Sequence, residues 1–276
     1  MCDTPGPFPW YLPMLPLVTG VLAALLYLAG VLIHARQLSR AEHDARWLRL
    51  ASSAAAALHL VCVIAVIDSP QGINLGLFAV ASAIGLICVT FVLVATVTLP
   101  VANLLLIVQP IAAGGVLASL FLHSGYQPTA ITSGPLIHII VSLAAYSMLL
   151  LAASQALLLA LQERLLRRSR SLALLGMMPP LSVMEDLLSQ SLWAGLALLS
   201  LAIASGLWQL DDLFAQHVAH HAVLSIASWC VFATLLWGRY TRGWRGGTAV
   251  AWTLTGYVFL GLAYFGAKFV LEIIMH

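Results

Sequence analysis

Apolar residues run along this chain in long blocks rather than in alternation, and the blocks have membrane-crossing length. A helix rising 1.5 Å per residue needs roughly 20 apolar residues to cross about 30 Å of hydrocarbon. Such stretches fall at 12–33, 48–67, 74–96, 100–122, 135–161, 190–210, 222–238 and 248–274. None has the period-two pattern of a barrel strand, so the pattern predicts eight transmembrane α-helices. The interval 74–122 spans 49 residues without a charge, too long for one crossing. Thr96-Val97-Thr98-Leu99-Pro100 supplies the break, with Pro100 placed for the first turn of the next helix.

Composition and charge test that count. The 276 residues are 62% apolar and 8% charged, with mean hydropathy +1.00, whereas a soluble domain carries about 25% charged residues. Lipid must therefore solvate most of the exterior, and with a net charge of +2 no nucleic-acid partner is expected. Arginine is confined to three places: 36–49, 164–170 and 239–245. If 74–122 is two helices, these are the turns after helices 1, 5 and 7, all on one side. The positive-inside rule makes that side cytoplasmic and both termini external. The expectation is a single all-α integral membrane domain over 1–276, a bundle of about eight transmembrane helices.

The remaining features add little architecture. The N-terminus lacks a basic segment before Asp3 and its apolar run is long enough to span, so it reads as a retained first helix. Cys62, Cys88 and Cys230 fall inside spans, Cys2 lies at the outer terminus, and no CxxC or CxxCH spacing occurs. The longest polar interruption, 162–189, continues helix 5 as a basic stub able to meet anionic headgroups. Ser182 and Glu185 then read as a capping box opening an amphipathic lead into helix 6. His34 and His43 read as residues of a solvated first loop.

Histidine is the unusual residue. Of nine, His123, His138, His217, His220, His221 and His276 lie at or beyond the outer boundary, and His59 sits near the middle of helix 2. Ionisable groups within a membrane normally face the bundle or a cavity. His138, one turn into helix 5, is either an axial ligand to haem iron or a partner in an interhelical hydrogen bond. His59 has the same two readings. His217 and His221, at i and i+4, would share one helical face as two metal ligands do, or belong to a hydrated loop. Lys268 and Glu272, also i and i+4, form a neutralising pair unless Lys268 holds an anion such as a propionate. The chain has no P-loop, GxSxG, HExxH or DxDxDG pattern, and helices 1–7 have no acidic residue in their cores. Neither enzymatic turnover nor carboxylate-coupled transport is expected.

Several segments carry a family resemblance. Pro179-Pro180-Leu181-Ser182-Val183-Met184-Glu185-Asp186, then Ser205-Gly206-Leu207, together with Ile137-His138-Ile139 and Ala145-Tyr146, resemble cytochrome c assembly proteins of the CcsA/CcmC/HemX type. Leu235-Leu236-Trp237-Gly238-Arg239-Tyr240, Gly243-Trp244-Arg245-Gly246 and Leu262-Ala263-Tyr264-Phe265-Gly266, with His59 and Asn74-Leu75-Gly76, resemble its YpjD-like inner-membrane subgroup. The resemblance implies a bacterial inner-membrane bundle that handles haem and supports cytochrome c maturation. It implies His138 as an axial ligand, with His59 or His276 as the second, and Lys268 as a propionate contact. The family's tryptophan-rich outer motif is absent from 213–221, and Trp237 stands where a transmembrane histidine is expected. The alternative expectation is therefore a non-haem accessory protein that uses the same fold to bind a membrane partner, for instance in ion handling, or a divalent metal through His217 and His221.

Overall fold

In the computed structural model, which describes residues 14–40, 45–69, 72–122, 124–128, 133–167, 179–208 and 216–274, eight helices are long and apolar enough to cross a membrane. They are α1 (Met14–Arg40), α2 (Ala45–Ile67), α3 (Leu77–Ala95), α4 (Leu105–Phe121), α5 (Ser133–Arg167), α6 (Leu181–Trp208), α7 (Gln216–Arg242) and α8 (Gly246–Ile274). A two-stranded ribbon, β1 (Asp68–Ser69) and β2 (Gly72–Ile73), makes the turn between α2 and α3. Lipid cannot hydrogen-bond a peptide group, so continuous helices are the solution that leaves no backbone group unpaired.

The helices form two consecutive rings of four. In the first, α1 packs on α2 and α4, and α3 packs on α2 and α4. The second repeats the pattern: α5 packs on α6 and α8, and α7 packs on α6 and α8. The contact of α3 with α5 joins the rings. Exposed aromatic rings mark both ends, with Trp47, Trp237 and Tyr240 at the end of the arginine turns and Trp208 at the other. Such rings have an apolar body and a polar tip, which suits the membrane interface.

Local departures from the sequence reading have physical causes. Leu99 closes a turn onto Ala95, and α4 starts only after the 3-10 turn Ala102–Leu104, so Pro100 precedes the helix rather than opening it. That turn carries Asn103, whose Oδ1 lies 3.0 Å from His34 Nε2. His34 is thus a buried residue of α1, not a loop residue. Helix α6 already begins at Leu181, which puts Ser182 inside its first turn and removes it as the cap. Glu185 does not close a capping box. Its carboxylate accepts from the backbone N–H of Gly246 at 3.1 Å and approaches Arg245 Nε at 3.7 Å. The start of α6 is held instead by α5, where Gln155 donates to the Met184 carbonyl and Gln162 to the Pro179 carbonyl.

Where helices touch backbone to backbone, a methyl group is too much. A Cβ on Gly85 of α3 would come 2.8 Å from Ala112 Cα of α4, whereas one on Gly114 would meet nothing within 4 Å. Gly85→Ala is expected to lower stability by about 1–3 kcal/mol through overpacking, and Gly114→Ala to be neutral. Thermal unfolding in detergent checks the pair, and equal midpoints would contradict this packing.

Candidate functional site

The two rings handle their polar interiors differently. In the first, His59 is fully buried, with its Nδ1 3.2 Å from the Tyr27 hydroxyl and its Nε2 2.9 Å from Ser82 Oγ. A hydroxyl can donate or accept, so both ring nitrogens are satisfied in either tautomer. One turn further along α1, Gly30 leaves room for the side chain of Gln109, which donates to Ser52 Oγ. Both nitrogens of His59 are within hydrogen-bonding distance of hydroxyls, and His59 does not line the cavity described next.

The second ring encloses a cavity of about 390 Å³ at the end opposite the arginine turns, walled by α5, α6, α7 and α8 with α3 behind. This lies within the 300–1,000 Å³ range typical of ligand pockets. Its lining is mostly aliphatic, with His138, Ser142, His221, Ser225, Tyr264 and Lys268 as its principal polar groups. Two of the histidines singled out in the sequence therefore meet here, from helices far apart in the chain.

His138 is held in a defined tautomer. Its Nδ1 lies 3.0 Å from the Ala202 carbonyl and 3.1 Å from Ser205 Oγ, and Ser205 itself donates to the same carbonyl at 3.0 Å. A carbonyl only accepts, so Nδ1 carries the proton and Nε2 keeps its lone pair. Among the described residues no hydrogen bond reaches Nε2. An Nδ1–H bond to a backbone carbonyl is the arrangement that orients and strengthens a ligating imidazole. Gly206 makes it possible, because a Cβ there would lie 2.9 Å from His138 Cε1. His221 enters from α7 with its ring 6.4 Å from that of Tyr264, centre to centre.

Lys268 and Glu272 staple the same end of the bundle. Lys268 Nζ lies 2.8 Å from Glu272 Oε1 and also donates to the Leu75 carbonyl, which Tyr264 Oη reaches at 3.1 Å. The ammonium lies over the ring of Tyr126, 4.2 Å from its centre. Glu272 Oε2 accepts from Leu77 N–H at the start of α3, and the Glu272 carbonyl accepts from Gly125. The helix reaches these partners through two π turns, Leu262–Gly266 and Val270–Ile274, on either side of Lys268. Such turns alter the side-chain register and are frequent at functional sites. Lys268 lines the cavity and is ion-paired with Glu272 there.

The other expected site residues are partly placed. His276 and the side chain of His217 lie outside the described residues, as does His43. Helix α7 includes both His217 and His221, and among the described residues no group of three or more His, Cys, Asp or Glu side chains could hold a metal ion. Sequence spacing put His221 on one face with His217, and the structure adds that His221 lines the cavity that also holds His138. The constraint that could have revealed this is the packing of α7 against α8, which periodicity within α7 does not contain.

Comparison with known proteins places the chain in a family. Residues 47–275 match the family model described as Cytochrome C assembly protein. The chain is 36% identical over 214 residues to the inner membrane protein YpjD of Escherichia coli K12, covering 75% of this chain and 79% of that protein. The YpjD protein of Escherichia coli O157:H7 gives the same identity and coverage. An uncharacterized 28.8 kDa protein in the nifR3-like 5′ region of Azospirillum brasilense is 34% identical over 141 residues, covering 50% of this chain and 52% of that one. No solved structure matches.

Removing Glu272 leaves the Lys268 ammonium and the Leu77 N–H without their partner. Glu272→Ala should lower stability by about 3 kcal/mol, and Glu272→Gln, which keeps an acceptor, by less. A fall in the detergent unfolding midpoint ordered Ala below Gln checks this, and a midpoint equal to that of the parent would contradict it.

Proposed function

The chain belongs to the cytochrome c assembly protein family and is a multi-pass inner-membrane protein of the YpjD-like kind, and on that footing we propose that it binds haem in the cavity of its second ring. The observation that carries the proposal is His138, with Nδ1 tied to the Ala202 carbonyl and Nε2 open. His221 lines the same cavity and is the second axial candidate, whereas His59 lies outside the cavity wall. When bound, haem would supply an iron that takes imidazole nitrogen as ligand. The chain's own residues do the rest. Ser205 and the Ala202 carbonyl orient the imidazole, aliphatic side chains exclude water, and Lys268 is the nearby cation for an acidic group.

In this reading the arginine turns face the cytoplasm, and the cavity lies in the outward half of the membrane. That position suits a protein that holds haem on the side where cytochrome c is assembled, acting as a haem-binding partner and not as an enzyme. The non-haem alternative, an accessory subunit or a metal site through His217 and His221, makes a different spectral prediction.

Purified protein loaded with haem should show a Soret band. His138→Ala should abolish it, His59→Ala should leave it unchanged, and Ser205→Ala should weaken haem affinity about tenfold, as loss of an orienting bond does. Gly206→Ala, which crowds the ring, should act in the same direction. Protein that stays colourless after loading would contradict the assignment, as would a band that survives His138→Ala.

A further inference from the structure

The side chains that line the cavity differ in exposure. Of the lining side chains only Leu207 on α6 and Ile226 on α7 are exposed, at 45% and 44%. The lining residues on α3, α5 and α8 are buried or half-buried. Along α6, exposure rises from buried Leu199 through half-buried Ile203 to Leu207, all on the cavity side. On α7, half-buried Ala222 lines the cavity and its neighbour Val223 is exposed. Among the described residues the exposed lining side chains therefore flank the α6–α7 seam, on a membrane-spanning surface, and both are aliphatic.

A hydrogen bond bounds the seam below. Trp229 Nε1 on α7 donates to Ser200 Oγ on α6 at 2.8 Å. Both residues lie within membrane-spanning segments, Leu181–Trp208 and His221–Arg242. At that depth an indole N–H released from its acceptor has no water to bond. The pair thus pins the two helices together one turn beneath Ile226.

We propose that this seam is a lateral doorway through which the cavity exchanges its ligand with the bilayer, passing between Leu207 and Ile226 above the Trp229–Ser200 bond. The inference rests on reading the cavity as a ligand site and adds the route and the class of ligand: a largely apolar molecule that partitions into lipid. A water-fed mouth would expose polar side chains, whereas here the two exposed lining side chains, Leu207 and Ile226, are aliphatic and every polar lining group, from His138 on α5 to Lys268 on α8, is half-buried. A ligand crossing the rim gives up no hydrogen bonds to water and meets its polar partners only within.

The test reads access directly and needs no haem. Cys2, Cys62, Cys88 and Cys230 are replaced by alanine, and Ser225→Cys places one thiol in the cavity. In phosphatidylcholine vesicles this thiol should react with lipid-soluble N-cyclohexylmaleimide and stay protected from a sulfonated, impermeant maleimide present on both faces. Leu207→Trp with Ile226→Trp should slow the lipid-soluble reaction by about an order of magnitude. Ala222→Cys, also on the cavity wall, repeats the measurement should Ser225→Cys fold poorly, and parental Cys230, exposed on α7, controls for delivery of the reagent through lipid. Equal labelling by the sulfonated reagent would overturn the doorway. So would no labelling by either reagent, or a rate unchanged by the tryptophan pair. A colourless haem-loaded protein would sink the ligand assignment while this labelling pattern stood, so the two failures are distinguishable.

Discussion

Hydrocarbon offers no hydrogen bonds, and this fact governs every polar group in the bundle. A buried donor or acceptor must find a partner on a neighbouring helix or keep a reason for having none. Most find one. Tyr27, His59 and Ser82 satisfy each other, His34 meets Asn103, and Gln109 meets Ser52. Interhelical bonds of this kind contribute roughly 0.6 kcal/mol each in membrane proteins, so their weight lies less in stability than in fixing which helix faces which. His138 is the informative case, because it satisfies one nitrogen on a rigid carbonyl and presents the other to a space large enough for a ligand.

The two rings share one packing order but have diverged inside. The first is filled to its centre by Tyr27, His59 and small residues of α1 such as Ala23 and Ala24. The second is closed at depth by Leu149, Leu192 and Phe232 and is hollow near its end, where Gly206 leaves room for the His138 ring. The staple of Lys268 and Glu272 ties that hollow end to the start of α3 and so to the first ring. The cavity is therefore held from both halves, even though four of its five walls belong to one.

Much of the architecture was legible in the sequence, since solvation by lipid leaves a long-range record. The eight apolar blocks, and the break near Pro100, reappear as eight helices. The ends were less legible. Polar residues near a boundary can continue a helix when a neighbour pairs with them, as with Gln155 and Gln162 ahead of α6, or with His34 on α1. At the site, the position of His138 was readable from its lone imidazole in an apolar helix. An interhelical bond was one reading of His59, but its partners, and the cavity that His221 lines with His138, were not readable. Both depend on contacts between residues far apart in sequence, such as His59 with Tyr27 and the approach of α7 to α8. Spacing within one helix carries no information about them.

The most direct test of the account is a structure of the haem-loaded protein in lipid nanodiscs. The account predicts haem within the second ring, its iron on His138 Nε2, His138 Nδ1 still bonded to the Ala202 carbonyl, and His59 still between Tyr27 and Ser82. Haem seated on His59, or bound outside the bundle with the cavity filled by lipid, would contradict it.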